Sequence, residues 1–134
     1  MTTLTLIQCT ATKRNGTHPA RQLYDESTYF RKMRAWAESR DCEYAILSAK
    51  HGLVDPDERL TDYDERGVSS NLAKQIAGKL SNRGVDTIHI CAGRDYTDAL
   101  IPECEAVGID CINHFAGKGI GKRMQLLKQR TDNP

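Results

Sequence analysis

The sequence predicts an α/β fold, a single three-layer sandwich built around a mainly parallel, four-stranded sheet. Short apolar runs alternate along the chain with segments whose apolar residues recur at helical spacing. This alternation favours parallel strands joined by right-handed crossovers, with helices on the faces of the sheet. A length of 134 residues suits one domain over residues 1–134, and no change of composition marks an internal boundary.

Four apolar runs of six residues predict the strands of this sheet, and helices are predicted where apolar residues such as Phe30, Met33 and Trp36 recur. The predicted strands are Leu4–Cys9, Glu43–Ser48, Asp86–Cys91 and Gly108–Asn113. The predicted helices cover about 27–40, 69–82 and 95–106, with a last helix from the glycine turn at 117–121 to about 129. Polar residues suited to N-caps precede two of them, Ser27 or Asp25 for the first and Ser69 or Ser70 for the second.

Two polar stretches, Thr10–Asp25 and Lys50–Gly67, are long for connections in a chain of this size. Glycine and proline interrupt both of them, so the pattern predicts loops there. Loops of this length in a small domain are often functional.

Composition indicates a soluble globular protein, with 39% apolar residues, 28% charged residues and a net charge of +1. No apolar run is long enough to span a membrane, and the first residues lack the basic segment of a signal peptide. The five cysteines are odd in number and form no C-x-x-C pair, which argues against a disulfide framework or a zinc site. We therefore expect a cytoplasmic protein with no membrane partner and no metal.

The carboxyl ends of the strands are where ligands bind in open α/β sheets. Four segments leave those ends, and each combines small residues with a nucleophile, a base or a cation. They are Cys9–Lys13, Ser48–Gly52, Cys91–Asp95 and His114–Lys118. The sequence therefore predicts a binding site along this edge.

A glycine-rich turn that leads into the last helix predicts a phosphate site. Such a turn exposes backbone N–H groups at the positive end of a helix dipole, and cations flank it. The glycine spacing matches neither a Walker A loop nor the dinucleotide-binding fingerprint, so no cofactor is indicated. A flexible helix entry with solvated lysines is the alternative. The phosphate-binding residues predicted here are Gly117, Lys118, Gly119, Gly121, Lys122 and Arg123.

Side chains suited to catalysis stand in the other segments and in the second long loop. His51 titrates near neutrality, a cysteine beside Lys13 can act as a nucleophile, and loop carboxylates can serve as a base or a ribose ligand. Each has a structural alternative as a loop hydrogen-bonding group, a buried strand residue or a solvated acid. The predicted catalytic residues are Cys9, Lys13, Lys50, His51, Asp62 and Asp64. Further ligand contacts are predicted at Thr10, Tyr24, Gly93 and Arg94.

Four segments resemble the signatures of a bacterial and archaeal family of uncharacterised domains. The signatures are a Cys-Ser/Thr-x-x-Lys strand end, a Leu-Tyr-x-x-Ser-x-x-Phe segment, a Ser-x-Lys-His-Gly-Leu-x-x-Pro loop and a glycine-rich C-terminal motif. In this chain they stand at Cys9–Lys13, Leu23–Phe30, Ser48–Pro56 and Gly117–Arg123. The resemblance covers most of the chain and implies no settled activity.

A more distant resemblance is to the YaaA-type peroxide-stress proteins, which are implicated in DNA binding and oxidative protection. Their Tyr-Gly-x-Leu-x-Pro loop is similar to His51–Pro56, and their Lys-Lys-Ala-Arg-Gly element falls at the motif that begins with Gly117. The order of the elements is kept. This chain is far shorter and lacks room for the additional helical DNA-binding elements of that family.

These observations favour a small cytoplasmic enzyme that acts on a nucleotide or on a nucleobase within nucleic acid. Hydrolysis, N-glycosidic cleavage and group transfer are all compatible with a carboxylate or a histidine beside an anion site. One alternative is a non-catalytic nucleic-acid-binding or stress-response module. Another is an interaction domain in which the strand-end residues only hold the loops.

Overall fold

The elements of the fold follow from a computed structural model, which describes residues 2–40, 42–61 and 69–132. Strands in these ranges are β1 (Thr2–Gln8), β2 (Thr17–Pro19), β3 (Glu43–Ser48), β4 (Gly52–Val54), β5 (Arg59–Thr61), β6 (Val85–Cys91) and β7 (Asp110–Asn113). Helices are α1 (Ala20–Leu23), α2 (Thr28–Ser39), α3 (Ser70–Asn82), α4 (Arg94–Ala106) and α5 (Ile120–Asp132).

The main sheet has five strands in the order β4-β3-β1-β6-β7. The four strands predicted from the apolar runs are all present and mutually parallel, which confirms the α/β class. The predicted number of strands is wrong, because β4 adds an antiparallel strand at the edge beside β3. Gly52 makes this possible: its φ of +76° lets the chain reverse directly after β3.

The two long polar stretches contain more regular structure than predicted. β2 and β5 pair as a separate antiparallel ribbon, in which the hydroxyls of Thr17 and Thr61 lie 2.9 Å apart. The short helix α1 lies between them in sequence order and buries Ala20 and Leu23. Strands of three residues carry too few side chains to show a periodic pattern, so the sequence did not indicate them.

Helices cover the sheet in two pairs, α2 packed on α5 and α3 packed on α4. The predicted N-caps are present, since the Ser27 Oγ accepts from the Phe30 N–H and the Ser69 Oγ accepts from the Leu72 N–H, each at 3.2 Å. Each cap satisfies one backbone donor of the first helical turn. Among the described residues, no helix combines the length and the apolar character needed to cross a membrane.

The core lies between the sheet and both helix pairs. β1 is the central strand and contributes Leu6 and Ile7 with no exposed surface. α2 buries Phe30, Met33 and Trp36, as its spacing predicts. All five cysteines are free, and Cys9, Cys91 and Cys104 are buried among these apolar residues.

Candidate functional site

The path of the chain creates a crevice between the carboxyl ends of β1 and β6. The chain leaves β1 for β3 on one side and later returns to β6 on the other, so the order reverses there. Open α/β sheets bind ligands at such a switch point. Two contacts join the two strand ends: the Gly93 N–H donates to the Gln8 Oε1 at 2.6 Å, and the Cys9 Sγ lies 3.1 Å from the Tyr96 hydroxyl.

A pocket of about 350 Å³ opens beside this crevice. It lies where β6 and β7 end and where α4 begins, and the loop before α5 closes its other side. Its volume is at the lower end of the range of about 300–1,000 Å³ for small-molecule sites. The lining residues are Ala92, Arg94, Thr97, Asn113, Phe115, Ala116, Gly117, Lys118, Gly119 and Arg123.

The glycine turn before α5 brings a guanidinium group to this pocket. Gly117 has a φ of +71°, which lets the chain turn tightly, and the Lys118 N–H donates to the Phe115 carbonyl at 3.0 Å. Arg123 then folds back from the first turn of α5. Its Nε donates to the Lys118 carbonyl at 2.8 Å, and its guanidinium lies 5.5 Å from the centre of the Phe115 ring. The positive charge of Arg123 is therefore held at the amino end of α5.

Gly93 precedes α4 and leaves the start of that helix open. No side chain caps α4. A Cβ atom at Gly93 would lie 3.0 Å from the Asp95 Oδ1, 3.2 Å from an Arg123 Nη and 3.4 Å from the Gln8 Oε1. The absence of a side chain thus lets a guanidinium approach the positive end of α4. The guanidinium and the positive end of α4 converge here and favour an anionic ligand, with the Asp95 carboxylate beside them.

The Tyr29 hydroxyl is a buried polar group beside the same guanidinium. Among the described residues it has no hydrogen-bond partner. Its ring stacks on Phe115 with the centres 6.2 Å apart. Burial raises the pKa of Tyr29, and the neighbouring Arg123 guanidinium opposes that rise. The hydroxyl therefore stays protonated at neutral pH and can donate a hydrogen bond.

One known protein family matches nearly the whole chain. Residues 4–129 match a family described as a family of unknown function, DUF6884. The chain belongs to this family. No curated protein and no solved structure matches it. The resemblance to an uncharacterised domain family is thereby confirmed at the level of the family, and the likeness to YaaA-type proteins stays a prediction.

In this DUF6884 chain, the pocket unites part of the predicted phosphate site. Five predicted residues line it: Arg94, Gly117, Lys118, Gly119 and Arg123. Gly93 adjoins it through its contacts with Gln8 and Arg123. Gly121 and Lys122 are exposed in the first turn of α5 and do not line the pocket. The Arg94 side chain is 86% exposed and lies 3.7 Å from Asp98, so it reaches the pocket from solvent.

The loop after β1 holds its predicted site residues away from that pocket. The Thr10 hydroxyl donates to the Thr12 carbonyl at 3.1 Å, and the Lys13 ammonium lies 5.9 Å from the centre of the Tyr24 ring. Tyr24 is fully buried with its ring on Phe30, so it offers a ligand no stacking surface. Cys9 is also buried, although it lies at the crevice itself.

The remaining predicted residues lie elsewhere in the DUF6884 fold. Lys50 and His51 are exposed in the turn between β3 and β4, where their N–H groups donate to the Ser48 Oγ at 3.3 and 3.0 Å. The whole of β1 separates this turn from β6, and neither residue lines the pocket. Asp62 and Asp64 lie outside the described residues.

A larger cavity of about 750 Å³ lies near the amino ends of β1 and β3. Its arginines already have carboxylate partners, since Arg21 pairs with Asp57 and Arg83 lies 3.4 Å from Asp55. The charges in this cavity therefore largely neutralise each other, which makes it a poor anion site. Residues 2–40, 42–61 and 69–132 contain no cluster of three side chains placed to hold a metal ion.

Sequence reasoning did not single out Gln8 or the Tyr29 hydroxyl, and it named Asp95 and Phe115 only as members of the strand-end segments Cys91–Asp95 and His114–Lys118. Gln8 ends the first apolar run, and a polar residue at that place is a weak signal of a strand end facing a ligand. The other three become neighbours only through the packing of α2, α4 and the loop before α5.

Proposed function

We propose that this chain is a small cytoplasmic enzyme that processes a nucleotide or a nucleobase, and that the pocket between α4 and α5 holds a phosphate group of the substrate. The observation that supports this proposal is the convergence of three anion-binding features on one pocket. They are the uncapped start of α4, the glycine turn before α5 and the Arg123 guanidinium.

These features have the chemistry that phosphate recognition requires. Backbone N–H groups at a helix start and in a glycine turn can point at phosphate oxygens without a side chain in between. A guanidinium donates two parallel hydrogen bonds to an oxyanion. Because Arg123 is already fixed by the Lys118 carbonyl and the Phe115 ring, little side-chain entropy is lost when a ligand binds.

The reaction also requires a proton acceptor or a nucleophile within reach of the bound substrate. Asp95 does not itself line the pocket, but it follows the lining residue Arg94 and its carboxylate lies beside Gly93, and we assign it the role of general base. Hydrolysis, N-glycosidic cleavage and group transfer can each use such a carboxylate. Lys50 and His51, predicted from sequence as catalytic residues, do not line this pocket.

Replacing Arg123 by methionine should weaken nucleotide binding by about ten- to a hundredfold, because it removes a charge-assisted hydrogen bond worth roughly 1.5–3 kcal/mol. The test follows the melting temperature of the protein with nucleoside monophosphates and with inorganic phosphate. The matched control is Arg83→Met, which removes an exposed arginine near the amino end of the sheet. Equal stabilisation of the Arg123→Met variant, or no stabilisation of the natural protein, would contradict the proposal.

A second candidate function is a non-catalytic nucleic-acid-binding or stress-response module, as the resemblance to YaaA-type proteins implies. The charge of the two helix layers favours it. α2 and α5 together carry seven basic residues and two acidic ones, whereas α3 and α4 carry three basic and four acidic ones. Binding to oligonucleotides alone, with an affinity that falls steeply with salt, would select this function over the first.

A further inference from the structure

A separate group of basic side chains lies on the sheet face covered by α2 and α5. The parallel register pairs Thr5 of β1 with His89 of β6, so both point to the same face. His114 follows β7 directly and stacks beside His89 with the ring centres 5.2 Å apart. None of these residues lines the pocket between α4 and α5.

Arg130, His114 and His89 form a chain of hydrogen bonds in which each group donates to the next. An Arg130 Nη lies 3.0 Å from the His114 Nδ1, and the His114 Nε2 lies 2.9 Å from the His89 Nδ1. A guanidinium can only donate, so the His114 Nδ1 accepts and its Nε2 carries the proton. His89 then accepts at Nδ1 and carries its own proton at Nε2. Both rings are therefore neutral, and the His89 Nε2–H is the donor at the end of the chain.

Arg40 brings a second guanidinium to the same place. Its Nε donates to the Thr5 hydroxyl at 3.2 Å, and its guanidinium lies 4.9 Å from the centre of the Trp36 ring. Trp36 in turn meets His114 edge-on at 5.1 Å. Within the described part of the chain, no carboxylate lies within 4.0 Å of the Arg40 or Arg130 guanidinium.

The electrostatics of this group show that it lacks a counter-charge. Burial lowers the pKa of both histidines, and the charges of Arg130 and Arg40 lower it further. The pKa of His114 falls to about 4, to which Lys118 also contributes. An anion among these side chains would satisfy both arginines and would favour a protonated histidine.

The geometry points to a second oxyanion site, in which Arg40 and Arg130 together with His89 and His114 bind a phosphate group. A phosphate offers several acceptor oxygens, which suits two guanidinium groups and the His89 Nε2–H donor. The cation-rich surroundings exclude a divalent metal ion between the two rings, because Arg40 and Arg130 would repel it. The inference stands independently of the pocket between α4 and α5.

The position of this site on α5 relates it to the first pocket. Arg123 and Arg130 are seven residues apart, so they lie on the same side of the helix about 10 Å apart along its axis. A single phosphate fills one site only. A nucleic-acid strand carries phosphates at intervals short enough to reach both.

A phosphate titration of the intact protein, followed by NMR signals of the histidine rings near pH 6.5, tests this site. We expect saturable shifts of the His89 and His114 signals and a rise of the His114 pKa by about one pH unit. Arg40→Met and Arg130→Met should each weaken the response about tenfold. Arg83→Met is the control, because Arg83 lies beside Asp55 in the cavity near the amino ends of β1 and β3. This variant should leave the histidine response unchanged.

Two further arms separate this site from the first pocket and identify the source of the phosphate. Arg123→Met should keep the histidine response even if nucleotide binding at the first pocket is lost. If a short single-stranded oligonucleotide shifts the histidine signals with a higher affinity than a mononucleotide does, the ligand is a nucleic-acid backbone. Equal affinities of the two probes identify a small phosphate compound. Histidine signals that do not move with any of these probes would overturn the inference, as would signals that move as much in the Arg40→Met and Arg130→Met variants as in the natural protein.

Discussion

Replacing Phe30 by alanine should lower the free energy of unfolding by about 3–5 kcal/mol. The Phe30 side chain has no exposed surface, and its ring lies 5.1 Å from that of Tyr24 at an angle of 50°. Truncation removes the apolar contact area of the ring and leaves a cavity between α2 and the segment that carries Tyr24. Urea unfolding followed by circular dichroism measures the change.

The control for this substitution is Phe30→Leu, which keeps most of the apolar volume and should cost less than about 2 kcal/mol. An alanine variant that loses less than about 1 kcal/mol would mean that the ring does not fill the core. The ring of Tyr24 packs on Phe30. The same experiment therefore also tests whether Tyr24 is part of the core, which would keep it from contacting a ligand as the sequence predicted.

Gly52→Ala should lower the free energy of unfolding by about 2–3 kcal/mol. An L-residue at a φ of +76° costs about 1–2 kcal/mol. The new Cβ would also lie 3.1 Å from the Leu72 Cδ1 and 3.4 Å from the Ile76 Cγ1, so the Leu72 side chain must move by a few tenths of an ångström. Thermal and urea unfolding both report this loss.

Gly78→Ala is the matched control, because it makes the same chemical change in the opposite context. Gly78 lies inside α3, and nothing lies within 4 Å of the Cβ that alanine would add. We expect a gain of about 0.5–1 kcal/mol in the free energy of unfolding, since alanine favours the helix. If both substitutions proved neutral, the backbone at residue 52 would not be left-handed.

The strands and helices that the sequence predicts correctly are those with enough residues to show a period. The run Glu43–Ser48 matches β3 residue for residue, and the serine caps of α2 and α3 are also in place. β4, β2 and β5 have three residues each, too few to show a period. β4 pairs with β3 through a tight turn, whereas β2 and β5 pair across a long stretch of chain, with Thr17 and Thr61 44 residues apart. Pairing between distant residues decides such strands, and a local pattern does not record it.

The candidate site shows the same division between local and long-range signals. The glycine turn from Gly117 to Gly119 and the nearby Arg123 are visible in the sequence because their function depends on consecutive residues. Gln8 reaches Gly93 only because β1 lies beside β6 in the sheet, whereas Asp95 follows Gly93 by two residues in the chain. A net charge of +1 also conceals the basic layer of α2 and α5, since the acidic residues of α4 balance it.

The central position of β1 affects how this chain folds during synthesis. β1 leaves the ribosome before its two neighbours, which begin at Glu43 and Val85. Its apolar side chains therefore have no complete partner surface until β6 has been translated, and pairing of such distant segments is slow. During that interval the nascent chain exposes an apolar, aggregation-prone segment. Molecular chaperones bind segments of this kind.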